Sequence, residues 1–246
     1  MINKYFTSPP PPNHQMVMTE DGSMSIYSLR YEEATHSRNG ATGETLTRFI
    51  EGCKIADILH NDNKIIFEVG WGTSLGFLCT LDCWLKSPQK AATFISSEID
   101  RELIEWTKIH SASLYQDFFS FDVKDILEKL TYYVDRDSYE LKIKNLFHLI
   151  ILPGDILQRQ ELMKKSWNKS VHAIFQDAYS PKKNPTLWTL EWFEFLYSIS
   201  HPEVILSTYS SSQSVRQNMK LAGWFVEEGP KFGEKKSSTI GKIILK

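Results

Sequence analysis

Cys53, Cys79 and Cys83 are the only cysteines in 246 residues. So few thiols, odd in number, exclude a disulfide framework and are expected to stay reduced. Cys79 and Cys83 fall one helical turn apart, but two thiols do not complete a zinc site, and no other spacing suggests a metal. No run of about 18 apolar residues occurs, so no segment reads as a membrane-crossing helix. The N-terminus lacks the basic-then-apolar order of a signal peptide, and a cytoplasmic location is expected. The formal net charge of -2 excludes a protein that coats nucleic acid by bulk charge, while leaving room for a local basic patch. No internal repeat is visible.

What is present fits one large domain. The apolar fraction of 41% and charged fraction of 24% are those of an ordinary globular chain able to bury a core. Residues 1–15, with Ser8 followed by Pro9 to Pro12, read as a mobile or extended tail. Residues 16–246 read as a single domain, divided into an N-terminal extension over 16–62 and a core over 63–246. In the extension Asp21-Gly22 marks a hairpin. A polar loop follows. From Glu44 the spacing of Leu46, Phe49, Ile50 and Cys53 predicts a helix.

The core alternates buried strands with helices. Lys64–Val69 is a strand that runs into Gly70-Trp71-Gly72-Thr73-Ser74 and then a helix with Leu75, Leu78 and Leu81. Strand, glycine turn and helix is the arrangement that holds a nucleotide-like ligand at a helix N-terminus. Gly70 and Gly72 permit the tight turn and close backbone approach. The next strand, Thr93–Ser97, ends at Glu98, 26 residues after Gly72. There a carboxylate can accept hydrogen bonds from ribose hydroxyls, or simply favour the helix that follows. Residues 111–139 hold a helix around Ile126, Leu127 and Leu130. Leu141–Ile143 and Leu146–Leu152 form a strand pair closed by Pro153-Gly154-Asp155.

Val171–Trp188 is the stretch around which the rest is organised. Val171, Ala173, Ile174 and Phe175 are buried-strand types, and the strand stops at Asp177. Ser180, Pro181, Asn184 and Pro185 break regular structure. A helix follows, with Thr186 as its expected cap and Leu187, Trp188, Trp192, Phe193 and Leu196 as its stripe. Val204–Tyr209 is a further strand. A helix with Val215, Met219 and Leu221 then ends at Gly223, and Trp224–Val226 with Ile240–Leu245 forms a closing antiparallel pair.

In an open α/β sheet the ligand crevice lies outside the carboxyl ends of the strands. The Gly70 turn, Glu98, Asp155 and Asp177 all stand there. A dehydrogenase uses the first two and has less need of an acid at the third. An S-adenosylmethionine methyltransferase uses all four.

These residues also carry a family resemblance. From the Asp21-Gly22 hairpin onward the chain resembles the methyltransferase domain of the MnmC family, the tRNA 5-methylaminomethyl-2-thiouridine biosynthesis proteins. The likeness rests on DGSMSIYS, HSRNGATGE, FEVGWGTSLGFL, FQDAYSPKKNPTLWT, STYSSSQSVRQNMKLAGW and PKFG, in that order. The block DAYSPKKNPTLWT is the most specific of these; the glycine motif is not specific. Ser74 departs from the family's G-x-G-T-G.

The resemblance implies a Rossmann-like S-adenosylmethionine-dependent methyltransferase fold. Its sheet is mostly parallel, with a terminal antiparallel pair and an N-terminal hairpin and helix extension. It implies a stand-alone form without the family's flavin oxidase domain. The activity implied is methyl transfer to the amine of 5-aminomethyluridine at the wobble position of tRNA. Glu68, Gly70, Gly72 and Thr73 would hold the methionine end of S-adenosylmethionine, Glu98 the ribose, and Gly154 with Asp155 the adenine. Ser37, Gly40 and Glu44 would close over the cofactor, and Asp177 would stand at the reacting centre. Ser180, Pro181, Lys182 and Lys183 would rim the uridine pocket, although a lysine pair on a loop is more often solvated surface, and Tyr209 reads equally as a residue stacking near the substrate and as a core tyrosine. Arg216, Lys220, Lys231, Lys235 and Lys236 would meet the tRNA backbone. Partners would be the tRNA anticodon loop and a separate amine-generating oxidoreductase. His36 reads equally well as a surface histidine. Two alternatives stay open: a small-molecule amine methyltransferase or aminopropyl transferase on the same fold, and a non-catalytic member that binds tRNA or cofactor only.

Overall fold

The computed structural model describes residues 9–233 and 237–244. The Trp106 indole donates to the Pro9 carbonyl at 2.9 Å, which ties down the described part of the expected tail. Strands β1 (His14–Met18) and β2 (Met24–Ser28) form the hairpin about Gly22, and β3 (Glu33–Ala34) pairs with β2. The helix expected from Glu44 starts earlier, as α1 (Ala41–Thr45). It continues as a π-helical segment over Leu46–Glu51 and ends in α2 (Ile55–Ile58).

The core alternates β4 (Lys64–Val69), α3 (Leu75–Leu85), β5 (Ala92–Glu98) and α4 (Arg101–Tyr115). Residues 111–139 hold more than the single helix expected. They include the end of α4, a short α5 (Val123–Leu127) and an exposed edge strand β6 (Thr131–Tyr133). Then follow β7 (Ser138–Ile143), β8 (Phe147–Pro153), α6 (Gln160–Trp167), β9 (Val171–Gln176), α7 (Leu190–Ile199) and β10 (Ser200–Thr208). The chain closes with α8 (Gln213–Leu221), β11 (Phe225–Glu228) and β12 (Thr239–Lys242). The cap of α7 is Thr189, whose hydroxyl accepts from the Trp192 amide, and not Thr186. The reason is a one-turn 3₁₀ helix over Pro185–Trp188 that delays the α-helical start.

The main sheet runs β11-β12-β10-β9-β4-β5-β8-β7-β6. The five strands from β10 to β8 are parallel, and the outer pair on each side is antiparallel. Two apolar clusters sandwich it. One is built around Phe77, Trp84, Phe94 and Phe147, the other around Trp188, Trp192, Phe193 and Leu206. The chain leaves β4 toward β5 and β8, then returns to β9 on its other side. This reversal opens a crevice between the ends of β4 and β9, at Gly70 and Asp177. Among the described residues no helix is long and apolar enough to cross a membrane.

Candidate active site

A cavity of about 440 Å³ lies over the carboxyl ends of β4, β5, β8 and β9. Its wall includes Gly70, Gly72, Glu98, Asp155 and Asp177, so the four strand ends singled out in the sequence meet in one space. Gly70 and Gly72 adopt φ of +100° and +54°, left-handed values that glycine tolerates. A Cβ at Gly72 or Gly154 would meet no protein atom within 4 Å. These two positions therefore leave backbone bare toward an incoming ligand.

Glu98 is buried and bound on both oxygens. Oε2 accepts from the Gly72 amide at 3.1 Å and Oε1 from the Asp100 amide at 2.9 Å. Burial pushes its carboxyl up to about 7 against those two bonds. The capping of α4 falls to Asp100, which accepts from the Glu102 and Leu103 amides. Asp155 caps its own 3₁₀ turn by accepting from Leu157 at 3.0 Å. Glu68 also faces the cavity and accepts from Ser96 Oγ at 2.7 Å; burial pushes it up to about 8. A Cβ at Gly76 would collide with the Glu68 carboxylate, so α3 needs a glycine there.

The loop after β9 is fastened strongly. Gln176 donates to the Leu187 carbonyl at 2.8 Å, and the Trp188 indole donates to the Tyr179 carbonyl at 2.8 Å. Tyr209 donates to the Ala178 carbonyl at 2.8 Å. These bonds give the DAYSPKKNPTLW motif its physical content, because they fix the backbone on both sides of Asp177. Among the described residues no hydrogen bond engages the Asp177 carboxylate, so it is not a turn cap. Burial raises its pKa well above the usual carboxylate range, helped by Glu44 and Glu68 and opposed by Arg48.

The N-terminal extension covers this loop. Glu33 accepts from the Ser180 amide at 2.9 Å, Lys183 pairs with Glu32 at 2.6 Å, and Tyr31 stacks on Tyr179 with centroids 4.3 Å apart. Arg30 lies over the Tyr31 ring at 5.4 Å.

Several sequence-derived roles meet a different placement. The Thr73 hydroxyl turns inward to Tyr115 at 2.5 Å and does not line the cavity. Gly40 packs against the Asp21 carboxylate, where a Cβ would collide. Ser37 and Glu44 do line the cavity and bind each other, the Ser37 amide donating to Glu44 Oε2 at 2.5 Å. His36 is a half-buried lining residue, not a surface one, and burial pushes it down to about 4. Ser180, Pro181, Lys182 and Lys183 stand behind the lining, and Lys183 is spent on Glu32. Arg216 stands outside the cavity lining and donates to Thr239 Oγ1 and the Ser238 carbonyl at the start of β12. Lys220 and Lys231 are exposed, while Lys235 and Lys236 lie outside the described residues. Sequence reasoning missed Tyr31, Tyr179 and Arg48; only Tyr179, two places after Asp177 in the motif, carried a signal. Among the described residues no group of three or more His, Cys, Asp or Glu is arranged to hold a metal.

Comparison with known proteins agrees with this fold. The sequence model of the family described as S-adenosyl-L-methionine-dependent methyltransferase matches residues 115–243. A relative from Ralstonia nicotianae, the tRNA 5-methylaminomethyl-2-thiouridine biosynthesis bifunctional protein MnmC, is 25% identical over 87% of this chain and 32% of its own length. The chain spans about a third of the length of the relatives of that name that it matches. Among solved structures, MNMC2 from Aquifex aeolicus is similar with a TM-score of 0.72 and 24% identity, over 96% of this chain and 72% of that one. Spermidine synthase from Thermotoga maritima shares the fold with a TM-score of 0.52 and 14% identity, over 93% of this chain and 67% of that one.

Proposed function

The chain belongs to the S-adenosyl-L-methionine-dependent methyltransferases, and from that premise we propose that it methylates the exocyclic amine of 5-aminomethyluridine at the wobble position of tRNA. The observation that carries this reading is the placement of Asp177. Its carboxylate faces the cavity across the β4–β9 reversal from the glycine turn, with its backbone fixed on both sides. S-adenosylmethionine supplies an electrophilic methyl group on a sulfonium. The bare backbone at Gly72 and Gly154 and the buried Glu98 carboxylate fit its methionine, adenine and ribose parts. A primary amine arrives mostly as ammonium and must lose a proton before its lone pair can attack. In its ionised form Asp177 binds the ammonium, and its raised pKa makes it the stronger base for taking or relaying the proton while it orients the lone pair. The relatives named tRNA 5-methylaminomethyl-2-thiouridine biosynthesis bifunctional protein MnmC support tRNA as the acceptor. An anticodon-loop base is already accessible, so a modest basic rim suffices. The reading places the protein in the cytoplasm, served by a separate oxidoreductase that generates the amine.

The test is Asp177→Asn, assayed by single turnover on tRNA carrying 5-aminomethyluridine, with S-adenosylmethionine binding measured by calorimetry. Transfer is expected to fall by roughly 100- to 10,000-fold with binding nearly intact. Wild-type turnover in a folded Asp177→Asn protein would remove Asp177 from the chemistry.

A second reading is favoured by the acidity of the cavity. Glu33, Glu44, Glu68, Glu98, Asp155 and Asp177 all line it, a wall that also suits a small aliphatic polyamine. A small-molecule amine methyltransferase or aminopropyl transferase would act without tRNA, and a binding-only protein would take the cofactor without turnover. If tRNA is the acceptor, affinity falls steeply with salt.

A further inference from the structure

Arg30 stands in the exposed turn between β2 and β3. Among the described residues that line the cavity it is the only arginine or lysine, on a wall that also carries Glu33, Glu44, Glu98, Asp155 and Asp177. The turn is fastened on both sides of it. The Leu29 amide donates to the Asn13 carbonyl at 2.8 Å and the Tyr31 amide to Ser28 Oγ at 3.3 Å. Glu32 and Glu33 then hold Lys183 and the Ser180 amide. Yet among the described residues no hydrogen bond or ion pair engages the Arg30 guanidinium. Other arginines are spent on carboxylates: Arg48 on Glu44, Arg101 and Arg159 on Asp137, and Arg136 on Glu140. Arg38 is outside the lining. The guanidinium of Arg30 lies 5.4 Å from the centre of the Tyr31 ring, and Tyr31 stacks on Tyr179 at 4.3 Å. The Trp188 indole holds the Tyr179 carbonyl. A continuous stack thus joins Arg30 to the loop that begins at Asp177.

We propose that Arg30 takes a phosphate of the acceptor and thereby selects a nucleic acid over a free polyamine. This rests on the reading of Asp177 as the partner of the acceptor's amine. A guanidinium is a planar fork of donors that matches phosphate oxygens two at a time. Resting over an aromatic ring steadies its plane without using up those donors. The same charge repels a polycation at an otherwise acidic wall. The cavity therefore offers opposite charges to the two ends of an aminomethyl nucleotide, a carboxylate for the amine and a guanidinium for the phosphate. A polyamine carries cations at both ends and can satisfy only the first.

Loss of Arg30 should therefore move the two ligands in opposite directions, which a merely structural role would not produce. The experiment measures binding of tRNA carrying 5-aminomethyluridine over a series of salt concentrations, with S-adenosylhomocysteine present so that no turnover occurs. Arg30→Gln is expected to weaken tRNA binding about tenfold and to reduce the slope of log affinity against log salt by about one. Arg30→Lys keeps the charge but loses the fork, so it is expected to keep the wild-type slope at reduced affinity. Spermidine, titrated by calorimetry into the same proteins, is expected to bind Arg30→Gln severalfold more tightly than wild type. A slope unchanged in Arg30→Gln, a slope not restored in Arg30→Lys, or spermidine affinity that does not rise overturns the proposal. Tight, Arg30-dependent tRNA binding without methyl transfer in the wild type would count against the functional reading alone. Methyl transfer to that tRNA with binding indifferent to Arg30 would count against Arg30 alone. A wild type that binds no tRNA would overturn both.

Discussion

A Cβ on Gly70 would lie 3.2 Å from the main-chain oxygen of Asp177. The glycine turn and the end of β9 are therefore in direct backbone contact, and the residue at position 70 sets how far Asp177 stands from the turn. Gly70→Ala meets both this crowding and the left-handed φ of +100°. It is expected to cost about 1–2 kcal/mol in denaturant unfolding. Methyl transfer should fall more than S-adenosylmethionine affinity, because the displaced group is Asp177. Equal losses in both would show that the contact does not position Asp177.

Gly72→Val is expected to abolish S-adenosylmethionine binding in calorimetry. Part of that loss would be backbone strain, since a β-branched residue resists a φ of +54°. Gly72→Asn separates the causes, because asparagine tolerates the left-handed region but still projects a side chain into the open space beside Gly72. Unchanged affinity in folded Gly72→Asn would show that the ligand does not pass that atom.

Ser74, the departure from the family's glycine, has a physical account. Its φ is +72°, but its hydroxyl donates to Ser111 Oγ at 2.8 Å, away from the cavity. Ser74→Gly trades relief of about 1 kcal/mol of strain against a hydrogen bond of similar worth. Stability is expected to change by less than about 1 kcal/mol, with cofactor affinity unchanged. A tenfold change in affinity would place Ser74 in the ligand's path after all.

Glu68 and Glu98 give stability a pH slope. Both hold their protons more tightly folded than unfolded, rising from 4.5 to about 8 and about 7. The folded state thus binds more protons across that window, and stability is lost as pH rises through it. Glu68→Gln is expected to flatten the slope and to recover on the order of 1–3 kcal/mol at pH 8 in the ligand-free protein. Chemical denaturation at a series of pH values measures both; parallel curves for mutant and wild type would contradict the assignment.

The parts of the fold governed by local rules were legible. Apolar runs marked β4, β5, β8, β9 and β10, and the glycine turn after β4 with the acids at the ends of β5, β8 and β9 led to one cavity. What escaped depended on distant partners. Thr73 follows two glycines in a loop that suggests a ligand, yet Tyr115, 42 positions later, draws its hydroxyl inward. Thr186 and Thr189 both suit a cap, and the 3₁₀ turn from Pro185 decides between them. Arg48 carried no signal beside Leu46, Phe49, Ile50 and Cys53 in the helix pattern. Only the π segment and the approach of Tyr209, 161 positions away, bury it. Tyr132 and Tyr133 lie in an exposed three-residue edge strand too short to announce itself by periodicity.

The clasp of Glu33 on Ser180 joins residues 147 positions apart. During synthesis the front wall of the cavity is made early and has nothing to close on until β9 and its loop emerge. Contacts of such long range are among the slowest to form. The front wall of the cavity therefore cannot close until the loop after β9 is in place.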